Sequence, residues 1–292
     1  MKKISILLVL FMLMFGLMST AQAVPLSSFE SFGSAAGDAL LYRNDDGYST
    51  EQALAADITY YGASYSSLWV NNNGNITFDG PMGTYTPFDL DGTGRTIVAP
   101  YFADVDTRPS DGGYVYYGER GVGALTGASS VVNAAFGGAF SATYGYIATW
   151  DHVGFYSYQT NSLNTFQLSL LTDGIDSFAI FNYLDDGMTW ETGEASGGNS
   201  SGFGGTEAVA GFDAGDGVNF YMIAGSMNPG IANILEDGSN VGVAGQWVFQ
   251  INQGIQSADD PDPNGNPVPE PMTMLLFGPA LLGLVGLKKK KV

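Results

Sequence analysis

The stretch at residues 164–190 constrains the fold more than any other. Phe166, Leu168 and Leu170 alternate with Thr165, Gln167 and Ser169. That period of two turns one strand face toward a core and leaves the other mixed. Thr172, Asp173 and Gly174 then supply turn chemistry, because glycine accepts the positive φ that tight turns require. The next run, residues 177–183, is nearly all apolar. Phe178, Ala179, Ile180 and Phe181 are therefore expected to be covered on both faces, as in a central strand. Asp185, Asp186 and Gly187 close the run. The chain reads as organised around a β-hairpin in the middle of a sheet.

Further strands are expected at residues 58–61, 67–70, 76–78, 96–101, 113–117, 144–158, 208–212, 218–223 and 246–251. Asn71, Asn72, Asn73, Gly74 and Asn75 read as a hairpin turn, since Asn and Gly both tolerate the left-handed region. Pro100 suggests an edge strand or a strand end. Residues 128–136 form the one good internal helix candidate, with Val131, Val132, Ala135 and Phe136 on one face and Gly137 and Gly138 after it. Residues 229–235 are a candidate for a second, shorter helix. Residues 192–206 read as a Gly/Ser loop. With 41 glycines and 13% aromatic residues, many turns and many aromatic strands are expected. The fold class is all-β: a single β-sandwich-like domain with one or two short helices. The chain has no cysteine, but a body of this length buries enough apolar surface to fold without disulfides.

The two ends carry addresses. Residues 1–23 read as a signal peptide, with Lys2 and Lys3, an apolar run at 4–18 and a small-x-small cleavage site at Ala21 and Ala23. The mature chain is expected to begin near Val24, outside the cytoplasm. At the other end, Pro269, Glu270 and Pro271 precede an apolar segment at 272–287 and four lysines at 288–291. As a helix that segment rises roughly 24 Å, with the lysines on the cytoplasmic side. Residues 268–292 resemble the PEP-CTERM sorting signal of Gram-negative bacteria. In that family an exosortase recognises the Pro-Glu-Pro motif at the edge of a short transmembrane helix with a basic tail. The resemblance implies an exosortase as processing partner, transient anchoring in the inner membrane, and delivery to the cell surface or extracellular matrix. A plain tail anchor is the alternative. Residues 253–267 read as an acidic, Pro-rich disordered linker.

All six lysines lie in the two terminal signals. The body between them keeps Arg43, Arg95, Arg108 and Arg120 against 28 acids, a net charge of −24. Such a surface argues against nucleic acid as a partner and favours divalent cations.

Four features invite a chemical reading. Residues 198–202 match the G-x-S-x-G pattern of a nucleophile elbow. A flexible Gly/Ser loop surrounds it, however, and the only histidine, His152, precedes it. His152 stands without cysteine or a second histidine, so an ordinary structural role is favoured over a zinc site. Residues 260–265 imitate the start of an EF-hand loop, but the prolines forbid its helix and the required Glu falls one place early, at Glu270. Asp104 and Asp106 are expected on one strand face, and Asp45 and Asp46 occupy a turn that could add oxygens. A solvated acidic face is the favoured reading of these four residues, with calcium as the alternative. No cofactor is expected to be required.

Several segments together resemble the NIDO domain, the extracellular module of nidogen, tectorin and some mucins. They include Leu68-Trp69-Val70-Asn71-Asn72-Asn73-Gly74, Ala99-Pro100-Tyr101-Phe102-Ala103-Asp104-Val105-Asp106, Thr149-Trp150-Asp151-His152, Phe178-Ala179-Ile180-Phe181 and Gln246-Trp247-Val248-Phe249. Their order fits the family from 60 to 251, within one domain at 24–252. The resemblance implies an extracellular module associated with cell–matrix adhesion, and it carries over no catalytic residues. The expected function is that of an exported, non-catalytic surface or matrix binding protein. The alternative is a calcium-dependent module for exopolysaccharide, with Trp69, Tyr85, Trp190 and Tyr221 as stacking candidates. A hydrolase is the least favoured reading, because no nucleophile–base pair is visible.

Overall fold

The computed structural model describes residues 24–91 and 94–259. The leader with Ala21 and Ala23 lies outside the described residues. So do the EF-hand imitation, Pro269, Glu270 and Pro271, and the apolar run at 272–287. Among the described residues no helix is long and apolar enough to cross a membrane.

In chain order the strands are β1 (Ala39–Leu41), β2 (Gln52–Tyr60), β3 (Ala63–Asn71), β4 (Asn75–Thr77), β5 (Thr96–Phe102), β6 (Val105–Asp106) and β7 (Tyr114–Gly121). There follow β8 (Tyr144–Phe155), β9 (Gln159–Thr172), β10 (Ser177–Tyr183), β11 (Val209–Ala214), β12 (Phe220–Met222), β13 (Gln246–Gln250) and β14 (Gln256–Ser257). Two α-helices are present among the described residues, α1 (Thr126–Phe136) and α2 (Ile231–Asp237). One sheet runs β1-β7-β8-β9-β10-β13-β14, with β6 paired to the far end of β8. The other runs β12-β11-β5-β4-β3-β2. Every named pairing is antiparallel.

The hairpin at β9 and β10 sits at the centre of the larger sheet, joined by a turn at Gly174 with φ 94°. Its sequence pattern is explained face by face. Phe166, Leu168, Leu170, Ala179 and Phe181 point into a core shared with the second sheet. Phe178 and Ile180 point the other way, into a smaller cluster under α1 with Val132 and Ala128. Phe178 meets Phe140 at 4.6 Å and Phe136 at 5.4 Å between ring centroids. Because the second face of β10 packs under α1, it is apolar and alternation disappears from its sequence. β9 is also covered on both sides, but it keeps alternation because Gln167 on its second face is hydrogen-bonded to Thr149 and Glu30.

The sheets meet through aromatic rings. Phe181 stacks on Phe212 at 5.1 Å and Tyr101 meets Phe166 at 5.3 Å between the sheets. Within the larger sheet Phe166 stacks on its β8 neighbour Trp150 at 5.0 Å. Tyr101 also meets Trp190 edge-on at 5.9 Å. Buried Tyr and Trp side chains also place their polar atoms on backbone carbonyls, as burial requires. Trp150 Nε1 donates to Asn72 O at 2.9 Å, Tyr183 Oη to Pro100 O at 2.6 Å, and Tyr60 Oη to Ile97 O at 2.8 Å. Truncating one of these rings to alanine costs about 3–5 kcal/mol in a well-packed core.

Three features differ from the sequence expectation. Pro100 is on neither an edge nor a strand end. β5 lies between β4 and β11, and the register shifts between Val209 and Gly211, opposite Phe102 and Ala99. The bulge leaves Pro100 outside the regular ladder, where its missing N–H costs nothing. The sheet also continues past 252. Gln256–Ser257 pairs with β13 as β14, and Ser257 is buried, so the start of the expected linker belongs to the fold. Residues 24–38, opaque in the sequence, are packed against the body. Val24 is fully buried, and Gln167 both accepts from Glu30 N at 2.8 Å and donates to Glu30 O at 2.9 Å.

Candidate functional site

The asparagine run after β3 does more than turn the chain. Only Gly74 in it has a positive φ, 77°, and a Cβ there would overlap the carbonyl of Tyr101. Asn72 and Asn73 are buried and act as connectors. Asn72 Nδ2 donates to Val105 O at 2.5 Å, and Asn73 Oδ1 accepts from Val105 N at 2.9 Å. Asn73 Nδ2 also donates to Asp46 Oδ1 at 2.8 Å. The Asp45–Asp46 loop is stitched in from its own side. Thr107 N donates to Asn44 O at 3.0 Å, Asn72 N donates to Gly47 O at 2.8 Å, and Asp45 bridges Asp106. Asp46 itself takes φ 62°.

This stitching gathers three acids. Ligand oxygens from Asp45, Asp46 and Asp104 all lie within 4.8 Å of one another. Asp104 is 1% exposed. It precedes β6 at a bend closed by Val105 N donating to Ala103 O at 3.0 Å, so strand alternation with Asp106 does not apply. Gly193 backs onto it: a Cβ there would stand 2.5 Å from Asp104 Oδ2. Asp106 is fully buried but differently committed. Arg108 Nε and Nη2 donate to its two oxygens at 2.9 and 2.6 Å, and Tyr158 N donates to Oδ2 at 2.9 Å. Of the four sequence candidates, the structure groups three and assigns the fourth to an arginine. The solvated face expected for Asp104 and Asp106 is replaced by a buried one, because both follow an inner strand into the junction between the sheets.

Burial raises the Asp104 carboxyl to about 7, reinforced by the charges of Asp46, Asp45 and Asp106 and opposed by Arg108. Burial also raises Asp45 to about 6, with Asp106 and Asp46 adding to the rise and Arg108 opposing it. Asp46 is raised as well, mainly by burial, with the Asn73 hydrogen bond acting against it.

The other candidates stay apart from this cluster. His152 Nδ1 lies 2.6 Å from Asp151 Oδ1, at an exposed position with φ 50° beside a bulge in β8. The G-x-S-x-G segment sits in a loop tied by Glu191 N and Thr192 N donating to Gly202 O at 2.7 and 3.1 Å. It is more ordered than a flexible Gly/Ser loop would be, because backbone bonds and Gly202, packed against Trp190, hold it. Trp190 is fully buried and donates Nε1 to Val153 O at 3.0 Å, so it is not available to stack on a sugar. Trp69 and Tyr221 are half-buried, and Tyr85 is exposed. Sequence reading missed Asn72, Asn73, Arg108 and Gly193. The run of three asparagines, longer than a turn needs, was the signal available for two of them.

What the fold and site define is a two-sheet, mostly β module with a half-buried acidic cluster. The chain belongs to the nidogen-like domain family, whose model matches residues 66–253. It is 42% identical to alpha-tectorin of Gallus gallus over 215 residues, covering 71% of this chain and 10% of that protein. It is 34% identical to nidogen of Drosophila melanogaster over 218 residues, 71% of this chain and 16% of that protein. Against nidogen-1 of Mus musculus it is 30% identical over 249 residues, 78% of this chain and 19% of the relative. The chain thus spans a small part of the curated relatives it matches. No solved structure matches it.

Proposed function

We propose that this chain is an exported, non-catalytic binding protein of the cell surface or extracellular matrix of a Gram-negative bacterium. The observation that carries the reading is that the nidogen-like family match, residues 66–253, takes in most of the two-sheet body, from within β3 to beyond β13. The family's association with cell–matrix adhesion makes a matrix component the expected partner, and the producer's own exopolysaccharide is the first to test. The terminal signals complete the route: export through residues 1–23, brief anchoring through 272–287, and exosortase processing near Pro269, Glu270 and Pro271. The protein from the surface fraction should bind that exopolysaccharide in a pull-down, and its tryptic peptides should lack 272–287. No retention on any matrix fraction would overturn the binding reading. Recovery of peptides from 272–287 in the surface fraction would show a plain anchor instead.

A calcium-dependent saccharide site is the second reading. Exposed Tyr42 and Tyr48 flank the acidic loop in sequence, and the guanidinium of Arg108 lies 4.0 Å from the ring centroid of exposed Tyr158. Exposed aromatic rings near hard oxygen donors suit sugar rings, although Arg108 covers one face of Tyr158. Binding to the polysaccharide that survives a chelator would exclude this version while leaving the first intact.

A further inference from the structure

The body has few cations, and the described structure uses them elsewhere. Arg43 donates to the carbonyls of Thr107 at 2.8 Å and Gly112 at 2.7 Å. Arg120 pairs with Asp38 at 2.7 Å and Arg95 with Asp79 at 3.2 Å. His152 faces Asp151. Arg108 alone reaches the acidic junction, spending two donors on Asp106 and one contact of 3.0 Å on Asp45 Oδ2. Every lysine lies outside the described residues. Four carboxylates therefore share one guanidinium. That excess is costly in a buried place unless protons or a cation balance it.

The second observation is at the level of atoms. Asp104 Oδ2 is buried and has no hydrogen-bond partner, and neither has Asp45 Oδ1. Orphaned buried acceptors are rare in native folds and call for an explanation. Each belongs to the trio whose oxygens converge within 4.8 Å. Asp45 holds Arg108 through Oδ2 and keeps Oδ1 uncommitted, and Asp46 accepts from Asn73 through Oδ1. These partners fix Asp45 and Asp46 each by one edge. Gly193 leaves no room for any side chain to fill the space against Asp104.

We infer that Asp45, Asp46 and Asp104 form a binding site for one divalent cation of the calcium type, which pins the 44–47 loop to the bend between β5 and β6. An oxygen-only donor set of three carboxylates excludes a preference for zinc and suits a hard cation. Calcium fits better than magnesium, because it tolerates irregular carboxylate geometry and sheds water more readily. Asp106 is not a ligand here; with Arg108 it forms the wall that orients Asp45. The cation site does not depend on which matrix component the module binds; it deepens the calcium-dependent reading above and is tested apart from saccharide binding.

The test is calcium titration of the purified, chelator-treated full chain by calorimetry and thermal melting, at fixed neutral pH. One calcium per chain should bind, the melting temperature should rise, and magnesium should bind at least about tenfold more weakly. Asp104→Asn and Asp45→Asn should each abolish the shift, while Asp186→Asn, in the exposed trio Asp185, Asp186 and Glu236, should keep it. The inference is overturned if about 10 mM calcium, above the weakest dissociation constants of extracellular calcium modules, gives neither heat nor shift. It is equally overturned if both variants retain the full shift. Calorimetry on the unaltered chain decides the matter even where a variant does not fold.

Discussion

Among the described residues two acidic trios stand, and they differ in how far water reaches them. Asp45 and Asp46 are half-buried and converge on buried Asp104, where two oxygens are dry and unpartnered. Asp185, Asp186 and Glu236 converge at the surface, where Asp185 and Asp186 are exposed. There the one buried member is satisfied: Glu236 Oε2 accepts from Met188 N at 3.1 Å. Clustering of acids alone therefore says little, since water reaches Asp185 and Asp186 and hydrogen bonds satisfy Glu236. What separates the two is whether each oxygen has a partner. Charge in contact with water is screened, whereas charge removed from it must be balanced within a few ångströms.

The sharpest way to break the comparison is to remove the wall of the buried trio. Asp106→Ala leaves Arg108 without its bidentate partner and Tyr158 N without an acceptor. It should cost about 3–5 kcal/mol in equilibrium denaturation, whereas Asp185→Ala at the exposed trio should stay within about 0.5 kcal/mol. Equal effects would show that burial does not distinguish the sites. A smaller but telling loss is expected for Gly193→Ala. Gly193 has φ −93°, so the backbone accepts alanine, and only the approach to Asp104 resists it. Overpacking of this kind costs about 1–3 kcal/mol by the same measurement. A neutral result would mean that Asp104 has room to move.

The smallest effect concerns pH at the exposed trio. Burial raises the pKa of Glu236, with the neighbouring charges of Asp237 and Asp186 adding and hydrogen bonds from Met188 and Asp186 opposing. The folded state then holds this proton more tightly than the unfolded chain does. Its contribution is present below the unfolded pKa and is lost as pH rises through the raised one. Glu236→Gln removes the titration, so its stability relative to the parent should improve from acid toward neutral pH. Urea midpoints collected across that window check this. A constant difference between the two proteins would contradict the direction of the shift.

The centre of the fold was legible because its signals are local. Alternation in β9, lost in β10, already described a strand with two covered faces. The helix at Thr126–Phe136 was legible from one apolar stripe. Of the stripe's four residues Val132 is buried and Val131, Ala135 and Phe136 pack half-buried against the same cluster, while Ala128 and Ser129 are buried beside them. The site was half legible. Its four aspartates were visible as residues, but Asp106 could not be separated from the others. Nothing in the spacing said that Arg108 would take both oxygens of a residue two places before it.

The sequence by itself determined the β periodicity, the paired terminal addresses as expectations, and a body with four arginines, no lysine and a large excess of acid. The tertiary structure alone decided that Asp45 and Asp46 meet Asp104, that Pro100 sits opposite a bulge, and that Trp190 is core. Periodicity and charge balance are properties of neighbours along the chain. Burial and hydrogen-bond satisfaction are properties of neighbours in space, and for a carboxylate those two decide whether it is a solvated surface group or a waiting ligand.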